Sequence, residues 1–181
     1  MRYIPAPWRE PYVRSGLAMK KCLFCEALRS RDDRASRVLH RGRQAFVLLN
    51  TYPYTCGHLM VAPRRHTADL AGAGPALTAE ITELVQRAVR ILRRHYRPHG
   101  FNIGLNLGHA AGAGVADHFH VHVVCRYTGD ASFMPLVSRT RVFLEDLDAT
   151  YDRLAPEFAR ARRRAARTGQ SRSRRPTPKL R

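Results

Sequence analysis

Three histidines at alternate positions, His118-Phe-His120-Val-His122-Val-Val124, are the residues of this sequence whose types and spacing best suit chemistry. On an extended strand, successive side chains point to opposite faces. His118, His120 and His122 therefore share one face, while Phe119, Val121 and Val123 share the other and can pack on a helix. Three imidazoles on one face are costly to bury unless each has a partner. A single histidine is most often a satisfied core residue; three in this pattern point to a site. Neutral imidazole is a competent nucleophile near pH 7. The loop ahead of the strand supplies a second half. Ala111-Gly-Ala-Gly114 can bring backbone N–H groups close to an anion, because glycine accepts unusual φ and carries no side chain. Many such loops bind nothing, so the weight rests on the histidines. Asn106, just upstream, adds an amide donor. A phosphate held there beside an imidazole predicts in-line attack at phosphorus.

The elements that must position these groups follow from pattern. Cys22–Arg29 reads as a knuckle leading into a short helix, after an N-terminal arm over 1–21 with Trp8 and Tyr12 as anchors. Arg37–His40 and Ala45–Asn50 read as strands joined by a turn at Gly42. Asn50–Gly57 is a loop punctuated by Pro53, and His58–Ala62 is an apolar strand ended by Pro63. The strongest helix spans Ala79–Tyr96, with Thr78 as N-cap and Glu80 in its first turn. Ile81, Leu84, Val85, Ala88 and Leu92 form its buried stripe. Arg93 and Arg94 suit its C-terminal dipole, and Pro98 and Gly100 stop it. Phe101–Leu107 and Asp117–Cys125 read as further strands. A last helix covers Leu144–Arg160. Strands in meander order with one long helix predict an α+β fold on an antiparallel sheet.

Composition narrows the partners. The 181 residues suffice for one domain with a real core. The net charge of +18 invites an anionic ligand or nucleic acid. Its distribution weakens the second reading. Residues 160–181 hold ten Arg or Lys and no acid, and the remainder carries 22 basic against 14 acidic residues. A tail over 159–181 rich in Arg, Ser and Pro predicts disorder and at most weak nucleic-acid contact. No apolar run is long enough to span a membrane, and the N-terminus lacks the apolar centre of a secretory signal, so a cytoplasmic protein is expected. Four cysteines, Cys22, Cys25, Cys56 and Cys125, do not suggest a disulfide framework in that setting. Cys22-x-x-Cys25 alone suggests zinc or redox chemistry. Cys56 and Cys125 read as buried thiols.

The histidine segment has the pattern of the histidine triad (HIT) superfamily of nucleotidyl hydrolases and transferases. The sequence resembles that family over roughly residues 5–155. The residues that carry the likeness are Cys22-x-x-Cys25, the segment from Asn50 to His66 (Asn-Thr-Tyr-Pro-Tyr-Thr-Cys-Gly-His-Leu-Met-Val-Ala-Pro-Arg-Arg-His), Asn106-x-Gly108 and the triad strand. Pro7-Trp8-Arg9, Ala111-Gly-Ala-Gly114 and Gly129-Asp-Ala-Ser-Phe-Met-Pro135 look most like the bacterial diadenosine tetraphosphate phosphorylase branch, also called ATP adenylyltransferase.

The resemblance implies a five-stranded antiparallel sheet with one long helix and a C-terminal helix, paired into a homodimer. It implies that His120 attacks the α-phosphate of an adenine dinucleoside polyphosphate and becomes nucleotidylated. His122 contacts the phosphate and the leaving oxygen. Asn106, Gly112, Ala113 and Gly114 hold phosphate oxygens, and Asn50 bonds the ribose. It further implies that Cys22, Cys25, His66 and His118 form a closed Cys2His2 set for structural zinc, with no organic cofactor. His118 either completes that set or orients the strand. Three departures stand out. Many relatives place Ser or Thr near Gly114, where this chain continues with Val115, so the leaving group depends more on His122 or water. The phosphorylase branch often has Gln at the Val121 position, and Pro-Arg-Trp where this chain has Cys125-Arg-Tyr127. Two alternatives stay open: a hydrolase releasing AMP from small nucleotide conjugates, and a nucleic-acid-binding module that works through the basic tail.

Overall fold

The computed structural model describes residues 21–130 and 145–172, with side chains as far as Ala161. Trp8, Tyr12 and the Phe133-Met-Pro135 segment lie outside these residues.

Two apolar runs of opposite direction open the sheet. β1 (Val38–Arg41) and β2 (Ala45–Leu49) pair antiparallel around the turn at Gly42, whose N–H donates to Ala45 O at 2.9 Å. β3 (Leu59–Pro63) pairs with β2 from Ala45↔Pro63 to Leu49↔Leu59. Every residue of β2 and β3 is buried, as expected of strands that are apolar on both faces. The chain then crosses the sheet in helix α2 (Pro75–Tyr96) and returns as β4 (Gly100–Gly104) and β5 (Val121–Arg126). The strand order is β1-β2-β3-β5-β4, antiparallel throughout. Five strands and the antiparallel sense match the expectation; the simple meander does not. After the crossover the chain enters at the outer edge and folds back, so β5 lies between β3 and β4.

Helices cover both faces unequally. α2 and the C-terminal helix α3 (Leu147–Arg172) close one face: Leu84, Ala88, Leu92, Leu154 and Phe158 pack on Val47, Leu49, Val61, Phe119 and Val123. The other face carries the short helix α1 (Leu23–Arg29), whose Phe24 and Ala27 pack on Phe46, Leu48, Met60 and Ala62. Each large apolar side chain so buried contributes about 1.5–3 kcal/mol.

Several boundaries differ from the sequence reading, each for a local reason. Helix α2 begins four residues earlier than expected, and Thr78 is not its cap. Gly74 holds the N-cap position and Pro75 the first helical one, where the missing proline N–H costs nothing. The Thr78 hydroxyl donates back to Gly74 O at 3.2 Å. Glu80 lies beyond the first turn and accepts from the Arg43 and Gln44 N–H groups at 2.7 and 2.9 Å, tying the β1–β2 turn to α2. The helix ends at Tyr96 with Arg97 left-handed (φ 44), immediately before Pro98. β4 stops at Gly104, its last pairing being with His122. β5 starts at Val121, not Asp117, because β3 ends at Pro63 and the Phe119 N–H bonds Thr67 O instead of a ladder partner. α3 begins after Asp146, whose carboxylate accepts the Ala149 N–H at 2.7 Å in the manner of an N-cap. Its backbone runs past Arg160 to Arg172, through a segment rich in the strong helix formers Ala and Arg. Among the described residues, no helix is long and apolar enough to cross a membrane.

Candidate active site

The alternation expected of the triad segment holds even where the ladder has not yet begun. Phe119, Val121 and Val123 enter the core under α2, and the three imidazoles emerge on the α1 side. Each has its tautomer set by a neighbour whose role as donor or acceptor is fixed.

His118 is fully buried, and its Nε2–H donates to Pro63 O at 2.9 Å. A carbonyl only accepts, so the Nδ1 of a neutral ring is left with a lone pair. That nitrogen lies 3.3 Å from Cys22 Sγ and 3.8 Å from Cys25 Sγ, and His66 Nδ1 lies 3.4 Å from Cys25 Sγ. One ligand atom from each of the four residues falls within 4.8 Å of the others. A tetrahedral ion about 2.3 Å from sulfur and about 2.0–2.1 Å from nitrogen needs S–N edges of about 3.6 Å. The set fits such an ion, and the Pro63 carbonyl would orient His118 from behind. The sequence-predicted ligands Cys22, Cys25, His66 and His118 are thus brought together.

His120 is 5% exposed, and its Nδ1–H donates to His118 O at 3.0 Å. Nε2 therefore holds the lone pair. Burial pushes this imidazole below its ordinary pKa, against the opposing effect of that hydrogen bond. The ring is kept neutral and basic on the nitrogen that a nucleophile needs.

The third imidazole is governed by a residue that pattern reading passed over. His58 is 1% exposed, and its Nε2 lies 2.9 Å from His122 Nδ1. Its own Nδ1 accepts the Tyr54 N–H at 3.1 Å and faces Asn50 Nδ2 at 3.3 Å. A backbone N–H only donates, so neutral His58 carries its proton on Nε2 and donates it to His122. Burial, then the neighbouring His122 and His120, push His58 down to about 3, so it stays neutral at physiological pH. His122 is in turn fixed with its lone pair on Nδ1, and a neutral His122 bears its proton on Nε2. In the sequence, His58 was the first residue of an apolar run and part of the Asn50–His66 segment that carries the family likeness, with no role of its own. The available signal was its place beside Gly57: at φ +72, any Cβ there would stand 2.9 Å from Leu92 and 3.0 Å from Tyr96. Glycine alone lets the Asn50–Gly57 loop fold tightly enough to aim Tyr54 and Asn50 at His58.

Asn50 was expected to bond a ribose. Here its Oδ1 accepts the Tyr52 N–H at 2.9 Å and its Nδ2 faces His58, so it braces the loop and the histidine chain together. Asn106 and the glycine loop do meet: Asn106 Nδ2 stands 3.7 Å from where a Cβ of Gly112 would be. The loop differs from the expectation in one respect. The Gly112 and Ala113 N–H groups already donate to His109 O and Gly108 O at 2.9 and 3.3 Å, closing the turn on itself. Val115 packs with the Phe24–Phe46 cluster in place of offering a hydroxyl. Of the two thiols expected to be buried, Cys125 is, and burial pushes it up to about 12, as an inert core thiol requires, whereas Cys56 lies in the Asn50–Gly57 loop and is only half-buried.

The model of the HIT domain matches residues 31–129 of this chain, a span that holds the triad, His58 and Asn106. The chain belongs to the HIT family. Among curated HIT relatives, the AP-4-A phosphorylase of Mycobacterium tuberculosis is 43% identical over 129 residues, 71% of this chain. The match spans 66% of the phosphorylase's own length. Protein hit of Bacillus subtilis is 27% identical over 108 residues, covering 60% of this chain and 72% of that protein. Solved structures share the HIT fold. A zinc-bound histidine triad family protein from Mycobacterium smegmatis superposes with TM-score 0.56 at 22% identity, over 85% of this chain and 96% of that one. A hypothetical histidine triad nucleotide-binding protein from Sulfolobus tokodaii gives 0.61 at 23% identity, over 79% and 95%.

Proposed function

We propose that this HIT chain is a nucleotidyltransferase of the diadenosine tetraphosphate phosphorylase type, working through a nucleotidyl-histidine. The observation that carries the reading is the tautomer of His120: its Nδ1–H is spent on His118 O, so the lone pair sits on Nε2. The 43% identity to a protein named AP-4-A phosphorylase supports the substrate class. Nε2 attacks the α-phosphorus of an adenine dinucleoside polyphosphate, forming an N–P bond as the P–O bond to the departing nucleotide breaks. His122, its Nδ1 occupied by His58, supplies the Nε2 proton to that departing oxygen. Inorganic phosphate then attacks the same phosphorus, the N–P bond breaks, and ADP leaves. Asn106 and Gly114 hold the phosphate oxygens, with Gly112 and Ala113 joining once the loop opens its own hydrogen bonds. Asn50 contributes its remaining lone pair and proton to the ribose.

The Cys22, Cys25, His66 and His118 set holds structural zinc, which braces α1 against the triad segment and takes no part in bond making. The chain pairs into a homodimer by continuing its sheet across β4, an edge strand among the described residues, where Ile103 is half exposed. It acts in the cytoplasm, and its Arg-rich C-terminal segment gives weak nucleic-acid contact.

The test is intact mass after mixing with a dinucleoside polyphosphate and quenching: an AMP adduct on the wild type and none on His120→Ala. Product analysis sharpens the reading. ADP formed only when phosphate is present supports phosphorolysis. AMP formed with and without phosphate supports the hydrolase, which the Val115 side chain, lacking a hydroxyl, leaves open. No adduct and no turnover in either form sinks both.

A further inference from the structure

Between the two thiols of α1 stands Phe24, fully buried. Its ring centroid lies 4.9 Å from that of His118 and 4.7 Å from that of His120, and its edge meets Phe46 at 6.4 Å. The hydrogen bond to His118 O fixes the direction of His120 Nδ1, but one bond leaves a ring free to rock about its own axis. The rings beside it resist that motion: Phe24 at 4.7 Å, tilted by 40°, and His122 at 4.7 Å, near edge-on.

What holds Phe24 is then the question. α1 has seven residues and no side-chain cap at its N-terminus. A helix that short does not persist in water on its own. Its C-terminal end is tied down by Arg41, whose guanidinium donates to the carbonyls of Ala27, Leu28 and Ser30 at 2.8–3.1 Å. Its N-terminal end is held by the packing of Phe24 on Phe46, Leu48, Met60 and Ala62, and directionally by Cys22 and Cys25, facing His118 and His66.

We propose that Phe24 is a positioning residue that transmits occupancy of the Cys22, Cys25, His66 and His118 set to His120. With a metal bound, the first turn of α1 is fixed and Phe24 is pressed against the nucleophile's ring. Without it, that turn keeps only its apolar packing, and Phe24 holds the ring less tightly. This rests on the reading of His120 as nucleophile, but the packing it describes can be measured without turnover.

The experiment follows the imidazole signals of His120 by NMR in the full chain, identified by their loss in His120→Ala, with zinc loaded and after chelation. In the wild type, chelation shifts or broadens them, and single-turnover nucleotidylation slows roughly tenfold or more, as misplacement of a reacting group predicts, with KM little changed. Phe24→Leu keeps one zinc per chain; its His120 signals start displaced and no longer follow zinc, and nucleotidylation is already slow and insensitive to chelation. Glu26→Ala, exposed on the same helix where it pairs with Arg29, keeps the zinc response. The proposal is overturned if His120 signals follow zinc equally in wild type and Phe24→Leu, or if the two rate losses multiply. Should the metal-free chain unfold by circular dichroism, zinc-loaded Phe24→Leu decides alone: native His120 signals with a native rate overturn the proposal. A wild type that forms no adduct while its His120 signals follow zinc sinks the nucleophile assignment and leaves the coupling intact.

Discussion

The two faces of this sheet are built from the same strands to opposite specifications. Under α2 and α3, Phe119, Val121 and Val123 join a continuous apolar core in which Leu84, Leu92, Leu154 and Phe158 are almost fully buried. Across the backbone, His118 and His120 lie against Phe24 of one seven-residue helix, and all three triad imidazoles are oriented by directional hydrogen bonds. The first face tolerates repacking because dispersion and burial add up over many neighbours. The second does not, because each imidazole is oriented by a directional hydrogen bond at one ring nitrogen. Apolar packing and oriented imidazoles thus alternate along one segment, and substitutions separate their effects.

The largest expected effect is on chemistry. His120→Ala lowers kcat by several orders of magnitude, measured by product formation, while far-UV circular dichroism stays native. A variant that keeps substantial turnover breaks the division of labour. Next is the core. Leu84→Ala costs about 2–5 kcal/mol of stability by denaturant titration, with kcat per folded molecule unchanged; a matching loss of kcat would mean that the faces are not independent. His58→Gln sits between the two and reduces kcat roughly 10²-fold by freeing the His122 tautomer. It also alters acid stability. Folded His58 resists protonation down to about 3, whereas the unfolded residue takes up a proton near 6.5. Unfolding therefore binds a proton within that window, and stability falls as pH drops from about 6.5 toward 3. His58→Gln removes roughly one proton from that slope, read from melts at successive pH values. The smallest effect is at the surface. Glu26→Ala breaks the exposed pair with Arg29 and changes stability by less than about 0.5 kcal/mol.

Much of this was legible in the sequence because it depends on local period and composition. Alternation along His118–Val124 placed the triad and its packing face correctly without any knowledge of partners. The stripe on α2 and its stop at Pro98 were read the same way. The Gly74-Pro75 start of α2 carried a usable signal, proline at the first helical position, but Thr78 offered a competing cap and drew the boundary inward. His58 was not legible. Its role depends on a loop folding back so that a backbone N–H meets one ring nitrogen, and nothing in the residue type announces that. Phe24 was hidden in the same way, since two thiols flanking it drew attention to metal and not to the ring between them. The strand order failed for a different reason: period shows that a strand exists, but not which neighbour it chooses after a crossover.

The contact between Cys22 and His118 spans 96 residues of sequence. During synthesis, α1 leaves the ribosome long before the segment that brings His118 to its thiols. At a typical pace of about 5–20 residues per second, Cys22 waits some 5–20 seconds before His118 is made. The nascent chain meets the reducing or oxidising character of its surroundings with Cys22 and Cys25 exposed, and the cluster of two thiols and two imidazoles closes only when the triad segment itself emerges.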